Sequence, residues 1–329
     1  MRRMSGVKWA LATALSMAML GSPIFAETFP SKPIKVISPY SGGGNSELFV
    51  RLVAEEVGRT IGQRVFVEPR PGAGGNLATE AVVRSAPDGY TILMAAPLLA
   101  INAALYTKLK IDPLKDLTPV TLGISAPYVM YATTTIAAKD AGDLIALAKA
   151  RPGTINYGSL GIGSGPHLGG ALFGMQAGID IVHIPYRGFA QILPDLLRGT
   201  VHFTFNGVGV GGQLVDSGQL RVLGHTGSRE VHGKIEGLKA MNPVSDILPG
   251  YELLGYYGFW APRDTPAPVI QKLNQEFARA MKSEAISAKI LQMGMMPEAL
   301  SPEASHAFLA KDIEKWRAVV VAAGVKVED

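Results

Sequence analysis

Apolar positions along the chain come in two alternating spacings. Short runs rich in β-branched and aromatic residues, at 34–37, 65–68 and 90–94, predict strands. Between them, 48–54 and 77–85 carry apolar residues at helical spacing. Strand, loop and helix recur through the first ~100 residues, the pattern of a parallel α/β sheet. From Leu117 the pattern changes: 120–124 and 128–132 are both strand-like with little helix between them, as at a crossing between lobes. A second α/β set follows, with strands at 155–157, 181–184, 201–205 and 220–225 and helices at 143–150, 192–198 and from Pro166 to Ala177. Residues 255–261 read as a return strand. Helices at 266–281, 285–293 and 302–323 close the chain, with Thr265 and Ser301 as N-caps and Gly294 and Gly324 as stops.

Ligands on such sheets sit outside the carboxyl ends of the strands, so the loops there hold the candidate chemistry. The first, residues 39–47, runs Pro-Tyr-Ser-Gly-Gly-Gly-Asn-Ser-Glu into a helix. Its glycines let backbone approach a ligand, and the helix N-terminus favours an anion without any basic side chain. Tyr40, Ser41, Gly42, Asn45, Ser46 and Glu47 are the candidates here. A glycine-rich turn made for geometry alone is the competing reading. Ala96 and Pro97 follow the third strand. A second glycine-serine loop, 158–167, supplies Ser159, Gly163, Ser164 and His167; the histidine is either a local hydrogen-bonding residue or ligand-facing. A third, 185–191, holds Tyr186, Arg187 and Phe189. Arg187 pairs with a ligand carboxylate or is solvated; Phe189, large and apolar among polar neighbours, suggests a pocket wall. Asn206 ends a strand, and Tyr256 and Tyr257 alternate between core and cleft.

Composition narrows the function. The chain has 329 residues, long enough for two domains, and no cysteine, which excludes disulfides, thiolate metal sites and a cysteine nucleophile. Residues 1–26 read as a signal peptide: Arg2, Arg3 and Lys8, then an apolar stretch from Trp9 to Leu20, then Ala26 before the cut. Without those three basic residues the formal charge falls from +4 to +1, which predicts neither nucleic acid nor an anionic membrane as partner. No lipid-anchor cysteine and no later membrane span appears, so an exported protein without a stable membrane anchor is expected. Residues 207–212 fit G-x-G-x-x-G but read as a turn, and neither a nucleophile motif nor paired-histidine metal spacing is present. No cofactor, metal or catalytic residue is therefore expected.

Several separated stretches carry a resemblance: residues 31–34, 39–51, 68–76 and 86–91, Asn156 to Ser159 with Gly163 and Ser164, His183 to Gly188, and Ala323 to Lys326. Together they resemble the Bug family, the periplasmic solute-binding proteins of tripartite tricarboxylate transporters. The resemblance implies an α/β, two-lobed periplasmic-binding-protein fold of the type II, Venus-flytrap kind, with two interdomain crossings. Lobe 1 would be 27–125 plus 251–329 and lobe 2 126–250, closing on hinges near 123–127 and 247–255. It further implies a monomer that binds a small organic acid and delivers it to membrane transporter subunits, with the carboxylate held by residues 41–47 and 159–167. The family usually has Asp at position 47, often Asp at 206 and a small residue at 189. Asn206 and Phe189 here point to a less charged, more apolar far end and to an aromatic mono- or dicarboxylate stacked on Phe189 and Tyr256. Other readings are a periplasmic sensor feeding a signalling partner and an exported α/β hydrolase.

Overall fold

The computed structural model describes residues 29–40, 45–106 and 109–325; the expected signal peptide, residues 1–26, lies outside them. In chain order the elements are β1 (Ile34–Ser38), α1 (Asn45–Ile61), β2 (Val65–Pro69), α2 (Asn76–Val83), β3 (Thr91–Ala95), α3 (Pro97–Leu105), α4 (Pro113–Asp116) and β4 (Leu117–Thr133). The second set is α5 (Ala141–Ala150), β5 (Ile155–Ser159), α6 (Gly165–Ala177), β6 (Ile181–Pro185), α7 (Phe189–Arg198), β7 (Phe203–Gly207), α8 (Gly212–Asp216), β8 (Leu220–His225) and α9 (Arg229–Lys234). The chain closes with β9 (Leu254–Pro262), α10 (Ala267–Lys282), α11 (Glu284–Gln292), β10 (Met296–Pro297) and α12 (Pro302–Ala322).

Strand order is β2-β1-β3-β9-β4-β7-β5-β6, with β8 and β10 also paired to β4. β1 is parallel to β2 and β3, and β5 is parallel to β6 and β7. Each parallel set therefore points its strand ends, and the loops before its helices, to one side. Both sets meet at β4. This strand pairs antiparallel with β9 from Leu117 to Pro127 and with β7 from Tyr128 to Ala132.

The sequence predicted two strands where β4 is one strand of 17 residues. Gly123 and Pro127 look like breakers, but Gly123 falls where the ladder shifts register and Pro127 where the partner changes. A missing N–H is tolerated at such a changeover. Helix α3 carries no helical period in the sequence, because its residues are apolar on nearly every side: Leu99, Ala100, Ile101 and Leu105 are all buried. Such a helix shows no polar face to give its period away. The main core unites Ile37, Leu93, Tyr157, Phe173, Phe203, Trp260 and Trp316, and a second cluster under α7 joins Val129, Tyr131, Ile192 and Leu196.

Candidate ligand site

On the first lobe the site begins where β1 ends. Ser41 and Gly42 lie outside the described residues. Tyr40 is half-buried, edge-on to Tyr257 with centroids 6.4 Å apart. Burial, and then the neighbouring Tyr257 and Tyr128, push its hydroxyl well above the ordinary tyrosine value. Asn45 is exposed at the start of α1, whereas Ser46 is buried and hydrogen-bonded to the Tyr257 hydroxyl. Glu47 pairs with Arg51 one turn on, at 2.7 Å. Ala96 and Pro97 carry the chain from β3 into α3: Ala96 is extended, Pro97 occupies the first turn, and no side chain caps the helix. The Leu98 N–H is thus left open, since the first turn of any helix has orphan donors.

On the second lobe, the loop after β5 is bonded to itself. Ser159 is fully buried, its hydroxyl 2.6 Å from Nε2 of His183 and 3.2 Å from both the N–H and the carbonyl of Gly161. The Ser164 hydroxyl donates to the Gly161 carbonyl at 2.7 Å and accepts from the His167 N–H at 3.3 Å, capping α6. The Gly163 N–H donates to Nδ1 of His167 at 3.0 Å, which fixes the ring proton of the neutral imidazole on Nε2. His167 stacks on His183 at 3.9 Å. Burial lowers both imidazoles to about 4, with His167 adding to the shift at His183. Glycine is needed at Gly163, where φ is 76° and a Cβ would come 2.9 Å from Leu105. The sequence expected Ser159, Gly163, Ser164 and His167 to meet ligand. The structure joins the polar group of each to a partner between residues 159 and 183.

The loop after β6 is built the other way. Gly188 stands at the N-cap of α7 with no side chain capping the helix. The preceding Arg187 N–H donates to Gln191 Oε1 at 3.1 Å, and the Gln191 and Ile192 N–H groups donate to the Gly188 carbonyl. The Arg187 side chain is exposed. Tyr186 donates its hydroxyl to Asp195 at 2.6 Å; burial first, then that carboxylate, push its pKa up to about 12. Phe189 is half-buried and packs on the cluster under α7, so at least part of the ring is core rather than pocket wall. Asn206, one residue before the end of β7, is buried; its Oδ1 accepts from the Gly207 N–H at 2.9 Å, and among the described residues its Nδ2 has no partner.

Residues 49–325 match the family described as the tripartite tricarboxylate transporter family receptor. The chain belongs to this family. BugT of Bordetella pertussis is 31% identical, over 95% of this chain and 96% of its own length. An R. palustris protein solved with adipate superposes with a TM-score of 0.77 at 29% identity, covering 91% of this chain and 99% of that one. MatC from Rhodopseudomonas palustris, solved with bound malate, gives 0.72 at 26% identity over 89% and 100% of the two chains. The periplasmic binding protein BugD gives 0.74 at 27% identity over 91% and 100%. The fold is accordingly the two-lobed α/β fold of these binding proteins, and this receptor is a solute-binding protein rather than an enzyme.

One expected contact of the receptor is corrected by its packing. Tyr256 is 1% exposed, donates its hydroxyl to Asp312 at 3.1 Å and stands edge-on to Phe308 of α12. It offers no ring to a ligand. Its neighbour Tyr257 turns to the opposite face, onto Tyr40 and Phe49, because successive strand residues alternate. Tyr128 stands at the changeover of β4 with its hydroxyl beside Gly165 and Gly255; a Cβ on either would lie 3.1 and 3.3 Å from it. Burial pushes that hydroxyl up too. An aromatic residue directly after Pro127, in a strand shared by both lobes, was the available signal. Among the described residues no group of three His, Cys, Asp or Glu could hold a metal, and no helix is long and apolar enough to cross a membrane.

Proposed function

We propose that this receptor captures an organic carboxylate between its lobes in the periplasm and delivers it to a tripartite tricarboxylate-type membrane transporter. The observation that carries the reading is that α3 and α7 begin at strand carboxyl ends with no side-chain cap. Open N–H groups and the positive end of each helix dipole favour an anion there, each contributing about 0.3–1 kcal/mol near the surface and more when partly buried. The adipate and malate bound by two relatives support a small acid as ligand. In this reading the β1–α1 loop and Leu98 act from lobe 1, and the first turn of α7, Asn206 and Tyr128 from lobe 2.

The lobes are taken as 27–125 with 251–329, and 126–250, and closure is placed where β4 changes partners and where the chain returns before β9. The leader read from residues 1–26 supports export. With Tyr256 in the core and Phe189 partly so, an aromatic ligand has one ring to stack on, and the proposal extends to aliphatic acids equally. Mass spectrometry of ligand released from denatured protein, followed by calorimetry with that compound, adipate and malate, tests it. An acid that binds supports the reading; a neutral or cationic natural ligand, with no acid binding, overturns it.

A further inference from the structure

We propose that the cleft between α6, β6 and the end of α12 is a second ligand site, which takes a small uncharged molecule with an apolar body and an oxygen acceptor. β6 is an edge strand of the sheet, and the cleft beside it has a volume of about 550 Å³. No residue of the uncapped first turns of α3 and α7 lines it. His167 does, although it is only 6% exposed. The Gly163 N–H occupies its Nδ1 at 3.0 Å, so the neutral ring carries its proton on Nε2. Among the described residues that Nε2–H has no acceptor. A nearly buried donor without a partner calls for an oxygen from outside the chain. The walls beside it are apolar. Ala171 and Met175 follow His167 at one and two turns of α6, Ile181 lies on β6, and Ala323 and Val325 close the far end. A water bound there finds few of the two to four polar partners that hold a water in place.

The same contacts exclude the charged alternatives. A metal ion on Nε2 needs the ring proton on Nδ1, where it would meet the Gly163 N–H donor to donor. A carboxylate finds no lysine or arginine in the lining, and Asp180 is the only charged side chain there. Burial lowers both His167 and its stacked neighbour His183 to about 4, so neither imidazole supplies a compensating charge near neutral pH. An alkylammonium brings only donors to a donor, and Asp180 is exposed, where an ion pair contributes little. A ketone, amide or ether oxygen accepts from Nε2–H with no charge to desolvate. Its apolar body covers Met175, which is 45% exposed and adapts its flexible thioether to irregular partners. The charge preference of this cleft is thus the reverse of that at the uncapped helix starts.

Magnetic resonance of the full chain, labelled at methionine methyls and histidine rings, tests this with three probes of similar shape: acetophenone, benzoate and ethylbenzene. Acetophenone is expected to shift the Met175 methyl and the His167 Nε2 resonance saturably, and to bind at these two groups at least about tenfold more tightly than either other probe. Met175→Glu sets a carboxylate where the apolar body lies, at an exposed position, and should weaken acetophenone at least about tenfold as read at His167. No saturable shift with acetophenone, or equal binding by benzoate or ethylbenzene at these groups, overturns the inference. Benzoate that shifts Leu98 or Phe189 and leaves Met175 still supports the division between two sites. The ring nitrogens of the free receptor supply a check that needs no variant: a proton on Nε2 of His167 is expected, and a proton on Nδ1 overturns the assignment of its donor.

Discussion

After β5 the chain bonds Ser159 to His183, Gly163 to His167 and Ser164 to Gly161 before α6 begins, and Ser164 caps the helix. After β6 it enters α7 through Gly188, which has no side chain to cap with. Both loops stand at the carboxyl ends of parallel strands of one lobe, so position does not distinguish them. Their polar side chains do, in an unexpected sense. The loop with Ser159, Ser164 and His167 bonds these side chains to its own backbone, whereas the loop with glycine at the cap offers no side chain to its first-turn N–H groups. A side chain that could cap the helix would compete with an acid for the same donors.

The strongest way to break this contrast is to give α7 a cap. Gly188 has an extended backbone, φ 175°, and no atom within 4 Å of an added Cβ, so other residues fit without strain. Gly188→Asp is expected to weaken binding of the acid about 10- to 100-fold, by occupying the helix N-terminus with a competing carboxylate. The thermal midpoint should hold or rise. Titration calorimetry reads the first and thermal denaturation the second; unchanged affinity would mean that α7 does not meet the ligand.

Ser159→Ala should do the reverse. Removing a buried hydroxyl that serves His183 and Gly161 is expected to cost about 1–3 kcal/mol of stability, while affinity per folded molecule stays within about twofold. Ser164→Ala removes a helix cap and is expected to cost roughly 1 kcal/mol in urea denaturation, again with affinity nearly unchanged. A loss of affinity without a loss of stability in either variant would return that hydroxyl to the ligand.

A further effect is in pH. Burial lowers His167 and His183 from the ordinary histidine value of about 6.5 to about 4 in the folded receptor. The unfolded chain therefore takes up protons first, and stability is full above about pH 6.5 and declines as pH falls towards about 4. His225, lowered to about 4 by burial and then by His232, acts in the same direction. Melting curves between pH 7 and 4.5 should show this decline, shallower in His167→Asn; a midpoint that rises on acidification would contradict the neutral stacked pair.

Much of the fold was legible because its signals are local. Alternating strand and helix periods, Ser301 before Pro302 and Gly294 after α11 each act within a few residues. The continuity of β4 was not legible, since Gly123 and Pro127 are harmless only through the identity of their partner strands. At the site the glycine-rich loops and Asn206 could be picked out, but residue type does not tell whether a hydroxyl faces inward. Ser159 and Ser164 look like ligand groups until His183 and Gly161 are seen to hold them. Tyr256 and Tyr257 are adjacent and chemically identical, and only strand pairing decides which one enters the core.

The central claim is that uncapped helix starts, and not the serine-rich loop, supply the donors for the acid. Amide resonances of the labelled receptor, followed during titration with adipate or malate, test it directly. The account predicts the largest shifts at Leu98, Gly188, Phe189 and Ala190, with Gly163 and His167 almost still. Large shifts at Gly163 and His167, with the first turn of α7 unmoved, would contradict it.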